Sequence, residues 1–284
     1  VHLFQNPVAD VDSMTAADEA GYRGFLVLRP FSHDTLGRCV LSGRLCAGNG
    51  PADDYVTCKA AYRVHLGGRE IKFEGTPWMQ QDRMVAACAS TAMWVATWHL
   101  AHFLGGEHKV FTTPEITELA TRFSLATGRP MPSGGLTTDQ MSHGLHAMGY
   151  APLLIGEFAT PTAEQVAEQV YAYVEAGFPA LLSLYYPGEG GHAMAVVGHR
   201  LNRRLRPKGA TFRDESRRSL SFVDASGYVP EFIVQDDAGG QASRRNQTTD
   251  SEPATIANNA ASAASRPPIS VCLRSSTYFA FSCS

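Results

Sequence analysis

Residues with the chemistry of a nucleophilic site lie far apart in this chain. Cys88 follows "QQDRMVA" near the start of "MVAACASTAMWVATWHLAHFL", a long apolar stretch without Gly or Pro. Such a stretch predicts a helix. A helix N-terminus carries partial positive charge and so favours the thiolate, the form of cysteine that attacks carbonyl carbon. His192 opens an alternation of small and apolar residues in "GGHAMAVVGHR", which predicts a strand. The glycines before it allow backbone or substrate to come close. An imidazole beside a thiolate forms an ion pair that is reactive near neutral pH. Asp236 and Asp237 end a further strand-like run, "EFIVQDD". A carboxylate at that strand end accepts a hydrogen bond from the far imidazole nitrogen and fixes the ring. Gln80 and Gln81 stand just ahead of Cys88. A glutamine amide together with the Cys88 backbone N–H makes an oxyanion hole. Taken singly, a helix cysteine is a packing residue, a strand histidine a structural one and a strand-end aspartate a turn residue. It is their joint order, Cys at a helix start, His at a strand start and acid at the next strand end, that points to catalysis.

The elements that must position these residues follow from patterning. Residues 20–75 read as β, with Gly67 and Gly68 marking a hairpin turn in "YRVHLGGREIKF". After the Cys88 helix, "TTPEITELATRF" predicts a helix capped by Thr113 with Pro114 at its first position. "GGLTTDQMSHGLHAMGY" predicts another, capped by Thr137 or Thr138 and ending near Gly149; "TPTAEQVAEQVYAYVEAG" predicts a fourth, from Thr160 with Pro161 to Gly177. "FPALLSLYYP", "HAMAVVGHR" and "SLSFVDASGYVPEFIVQDDAGG" are strand-like, and the basic stretch 201–218 between them reads as a solvated, irregular loop. Helices first and a sheet after them give an α+β order. Composition breaks abruptly after Gly240. Residues 241–284 are rich in Ala, Ser, Asn and Thr without periodicity and read as a disordered tail, although "ISVCLRSSTYFAFSCS" has strand character. The organisation expected is a β-rich unit over 1–75, a catalytic domain over 76–240 and a tail over 241–284.

Composition excludes several classes. At 44% hydrophobic and 18% charged residues, the chain has a globular balance and enough apolar surface for a large core. A net charge of −3 gives no general pull toward nucleic acid or anionic membrane, and neither is expected as a partner. No apolar run is long enough to cross a bilayer. "VHLFQNPVADVDS" has neither a basic n-region nor an apolar h-region, so a cytoplasmic location is the expectation, though the sequence does not begin with Met. The six cysteines form no CxxC pair, which argues against structural zinc. His99 and His102, like His143 and His146, lie three apart on helices, yet no HExxH accompanies them, and no metal or cofactor is expected. His199 is expected to end its strand at the surface.

Gln, then Cys at a helix start, then His-Ala-x-Ala-x-Val-Gly on a strand, then a strand ending in Asp resembles the papain-like cysteine peptidase superfamily. The helices between Cys88 and His192, with "GLTTDQMSHGLHAMGY" and "EAGFPALLSL", are most similar to its compact bacterial branch, the bacteriocin-processing peptidase-like proteins. The resemblance covers roughly residues 75–240. It implies a two-lobe fold, with a helical lobe carrying the cysteine and an antiparallel β lobe carrying the histidine and acid. It also implies a thiol peptidase or amide hydrolase acting on a peptide or protein substrate. Cys88 is then the nucleophile, His192 the general base and acid, Asp236 the orienting residue and Gln81 the oxyanion donor, with Gln80 and Asp237 as alternates. The family's glutamine usually sits six residues before the cysteine, a position held here by Asp82. Two rival readings use the same residues. One is a transglutaminase-like acyl transferase, although Ala193 and Met194 stand where that family has an aromatic residue after its histidine. The other is a papain-like fold serving as a binding module, with the N-terminal β unit as its working surface. That unit also reads as a built-in regulator shielding the cleft. No oligomeric state follows from the sequence.

Overall fold

The computed structural model describes residues 1–30, 35–43, 54–80, 87–105, 108–122, 135–155, 162–186, 190–207, 209–213, 219–237, 240–246 and 277–282. β1 (His2–Phe4), α1 (Ala16–Ala20), β2 (Tyr22–Leu28), β3 (Leu36–Leu41), β4 (Asp54–Val56), β5 (Ala60–Leu66) and β6 (Arg69–Met79) make up the N-terminal part. Five of these strands form one antiparallel sheet in the order β1-β2-β3-β6-β5. The β5–β6 hairpin turns at Gly67 and Gly68, whose φ values of 56° and 76° lie in the left-handed region that a tight hairpin turn demands.

Next come α2 (Cys88–Phe103), α3 (Thr113–Thr121) and α4 (Thr138–Ala147), then β7 (Ala151–Ile155) and α5 (Ala163–Glu175). Helices α3, α4 and α5 each begin with a reciprocal capping box, Thr112 with Glu115, Thr137 with Gln140 and Thr162 with Gln165. The α3 cap is therefore Thr112 rather than Thr113, because only Thr112 has an acid three residues on. The α5 cap is Thr162, which has Gln165 three residues on, and Thr160 and Pro161 lie outside the described residues. Helix α2 differs, since no side chain caps it at Ala87. It is apolar on every face, with most of its residues buried. It packs against β8, β9 and β12 of the second sheet and against β5 and β6 of the first.

The rest of the chain builds that second sheet. β8 (Ala180–Tyr186), β9 (Gly190–Arg200), β10 (Gly209–Arg213), β11 (Ser219–Val223), β12 (Glu231–Asp236), β13 (Gly240–Asn246) and β14 (Thr277–Ser282) follow in order. The sheet runs β13-β12-β9-β8-β14-β7, antiparallel throughout, while β10, inside the stretch that composition reads as irregular, pairs with β11 just after it as a separate hairpin. The architecture is mixed α+β. Two strands fall within the span read as a tail. Arg244 and Arg245 of β13 pair with Ile233 and Phe232 of β12, and the aromatic run "TYFAFS" forms β14 between β7 and β8. Residues 247–276 lie outside the described residues. The main core lies between α2–α5 and this sheet, around Met93, Leu100, Ile116, Leu145, Leu181 and Met194.

The N-terminal part contributes to both sheets. β6 runs through residue 75 toward Cys88, and β4 pairs with β9, setting Val56 opposite Gly198 and Tyr55 opposite His199. A Cβ on Gly198 would lie 2.1 Å from the Tyr55 carbonyl oxygen, so only glycine lets this strand dock. Gly198→Ala should therefore lower stability by about 1–3 kcal/mol, the cost of forced overpacking. Chemical denaturation monitored by circular dichroism checks this, and an unchanged midpoint would show that β4 docks without the close approach.

Candidate active site

Three elements bring the predicted residues together. Cys88 is the first residue of α2, so its thiol stands in the first turn, in the positive end of the helix dipole. Of the described cysteines, Cys39 and Cys58 are buried and Cys88 is half-exposed. Burial pushes the Cys58 thiol far up and leaves it inert. Cys46, Cys272 and Cys283 lie outside the described residues. His192 is the third residue of β9, opposite Leu184 of β8. Asp236 ends β12, which pairs with β9 up to Gln235 and Ala195. His192 and Asp236 both lie past that last pair, at the same end of the antiparallel ladder.

There the His192 Nε2–H donates to Asp236 Oδ1 at 3.1 Å. The Cys88 thiol lies near enough to the imidazole to raise its pKa, and Nδ1 is the nitrogen that Asp236 does not use. The His192 side chain is 20% exposed and the Asp236 side chain 6%. Burial alone would lower the imidazole pKa. The hydrogen bond to Asp236, the nearby Cys88 thiol and their negative charge outweigh it and raise the value to about 10. The ring is therefore an imidazolium at neutral pH, held between a carboxylate and a thiol. Asp237 is buried too, its Oδ1 3.9 Å from His192 Nε2.

The glutamines divide. Gln81 lies outside the described residues. The Gln80 side-chain oxygen accepts from the Leu36 backbone N–H at 3.1 Å, and its backbone carbonyl accepts from Arg29, which ties this residue to β3 and its flank. One positioning residue carries no sequence signal. Trp78, buried in β6, donates its indole N–H to the Asp236 carbonyl at 3.1 Å, across 158 residues of chain. The histidines considered as metal ligands are engaged differently. His99 is buried and its Nε2–H donates to the Gly177 carbonyl, while His102 Nδ1–H donates to the Trp98 carbonyl. His199 is buried rather than at the surface, because β4 and α5 cover the end of β9. Its Nε2–H donates to Glu175 at 2.5 Å, and its ring lies against those of Tyr55 and Tyr171.

No protein-family model, no curated protein sequence and no solved structure matches this chain. No helix among the described residues is long and apolar enough to cross a membrane.

Because the folded His192 pKa stands above its unfolded value near 6.5, the imidazolium adds stability that is fully present below about pH 6.5. That contribution is lost as pH rises through about 10. Wild-type protein should thus lose more unfolding free energy between pH 6 and pH 10.5 than His192→Gln, by about 1 kcal/mol or more. Urea denaturation at the two pH values measures the difference, and equal losses would mean that His192 is not held charged.

Proposed function

We propose that this chain is a cysteine-type peptidase or amide hydrolase of the papain-like kind. The observation that carries the reading is one imidazole that donates to the strand-end carboxylate of Asp236 and whose pKa is raised by both that carboxylate and the helix-start thiol of Cys88. In this reading α2, α3 and α4 are the helical lobe and the second sheet is the β lobe. The Cys88 thiolate attacks the carbonyl carbon of a peptide or amide, and a C–S bond forms while the C=O pair moves onto oxygen. The Cys88 backbone N–H at the helix N-terminus faces the developing oxyanion. On collapse the C–N bond breaks, and the leaving amine takes the proton that His192 Nδ1 carries. Water then attacks the thioester and gives its proton to the same nitrogen. The free acid departs and the thiolate returns. Asp236 keeps the ring in the orientation that presents Nδ1 to sulfur. Gly191 fits this use: among the described residues a Cβ there would meet nothing closer than the Leu184 carbonyl at 3.8 Å, and its smallness leaves the approach to His192 open.

Alkylation of Cys88, followed by peptide-mapped mass spectrometry across pH, tests the pair. Wild-type Cys88 should label fast at pH 6, and His192→Ala should slow that rate by at least about tenfold, leaving a thiol that reacts only toward its free value near 8.5. Asp236→Asn should fall between. Slow labelling at pH 6 in wild type, unchanged by His192→Ala, would overturn the proposal. For the acyl-enzyme stage, a substrate offered with excess primary amine should release free acid, and an amine adduct as main product would move the assignment to acyl transfer.

A further inference from the structure

Asp236 sits where the ladders of its strand become irregular. β12 pairs with β9 as far as Gln235 and Ala195, so Asp236 lies past the last partner on that side. On the other side, the register between β12 and β13 shifts between Val234 and Asp236. A ladder that ends on one edge and slips on the other fixes the backbone less firmly than a regular one. Yet the carboxylate there must stay aligned with His192, since Oδ1 is 3.1 Å from Nε2 and such a bond weakens steeply with misalignment. Trp78 meets the same residue from the N-terminal sheet. Its indole N–H donates to the Asp236 carbonyl at 3.1 Å, and both residues are buried. The indole is itself carried on a regular part of β6, where Pro77, Trp78 and Met79 pair with Val40, Cys39 and Arg38 of β3. Fixing that carbonyl fixes the peptide plane beside the Asp236 Cα, and the carboxylate branches from the same Cα.

We propose that the Trp78 indole N–H holds the Asp236 carboxylate in line with His192, so that a residue of the N-terminal sheet sets how high in pH the imidazolium beside Cys88 persists. The hold on His192 stands apart from the hydrolase reading, and only its effect on turnover rests on that reading. Trp78 acts through Asp236 and is a positioning residue. Among the described residues, the titratable groups that face the ring are Cys88 from α2 and Asp236 and Asp237 at the end of β12, while β8 sets the apolar Leu184 opposite it. Trp78 carries no charge, so its effect on the ring passes through geometry. A carboxylate turned away from Nε2 favours the imidazolium less. Losing the indole N–H therefore lowers the His192 pKa from its raised value of about 10.

In the full chain, histidine-ring NMR follows the His192 titration, its resonances assigned by their loss in His192→Gln. Trp78→Phe keeps an aromatic ring and removes the donor. Its His192 midpoint should fall by about one pH unit or more. Benzothienylalanine at position 78, a tryptophan isostere with sulfur in place of the N–H, should give the same fall with the packing kept. Circular dichroism checks that each variant is folded. Asp236→Asn keeps the carbonyl that Trp78 holds but removes the charge that it aims. In that background Trp78→Phe should still lower stability to urea, yet leave the His192 midpoint where Asp236→Asn puts it. An unchanged midpoint in the two donor-free variants, a fall with Phe but not with the isostere, or a further fall of equal size in Asp236→Asn would overturn the proposal. In a second arm, fluorescein-labelled casein is the substrate. The alkaline limb of turnover at saturating casein should move down with the midpoint in Trp78→Phe, with KM unchanged. Turnover whose alkaline limb stays put while the midpoint falls would overturn the link to turnover alone. Casein left uncut by wild type would count against the hydrolase reading, while the hold of Trp78 on His192 stands.

Discussion

Helix α2 offers apolar side chains in every direction, so none of its faces is stable against water. Met93, Trp94, Val95 and Ala96, four consecutive residues that go round the helix, are 0–2% exposed. One sheet can cover only one face of a helix, and α2 touches two, β8, β9 and β12 of one and β5 and β6 of the other. The position of Cys88 follows from this burial. Cys88 comes at the first turn, where α2 emerges from between its covers, and it is the half-exposed cysteine of the described three. Helices α3 to α5 terminate their own backbones with threonine capping boxes, but the end of α2 carries no side-chain cap, which leaves its dipole directed at the thiol.

Two buried histidines show how neighbours decide charge where burial is similar. His99, inside α2, has a backbone carbonyl as partner and His102 nearby. Burial dominates and brings its pKa down to about 4, so the ring is neutral. His192 is also desolvated, yet a carboxylate and a thiol flank it and carry its pKa to about 10. The contrast lies in the partners rather than in the depth. An imidazolium stabilised on both sides is a proton donor that is loaded at neutral pH, which suits it to the departing amine. In the proposed hydrolase reading, that nitrogen must give up a proton before it can receive one from water, an order that acylation supplies.

The local signals in this chain were the readable ones. The helices after Cys88 announce themselves by threonine three residues before Glu or Gln, and the Gly-Gly hairpin by its need for positive φ. The order Cys88, His192, Asp236 survives into space because each residue ends or starts an element that the pattern delimits. Features made by distant segments left no mark. Nothing near Trp78 signals that it holds a carbonyl 158 residues away. His199 looks like a strand end in sequence, and only the docking of β4 and the side chain of Glu175 bury it. Asp237 reads as an alternate to Asp236, whereas the fold sets both beside one nitrogen. Gln80 is tied through its side-chain oxygen to the Leu36 N–H, a contact between distant segments that its residue type does not announce.

The N-terminal sheet is better regarded as part of the site's scaffold than as a detachable guard. A guard leaves behind a surface that water can cover. Here departure would strip one cover from α2, expose the Tyr62 and Trp98 rings that meet edge to face, and open the edge of β9 that β4 occupies. It would also withdraw the Trp78 indole N–H from Asp236, leaving the carbonyl of the orienting residue without that donor in a buried position. Each loss falls on an element that carries Cys88, His192 or Asp236. Regulation that works by lifting the whole unit away would therefore dismantle the geometry that it was meant to release.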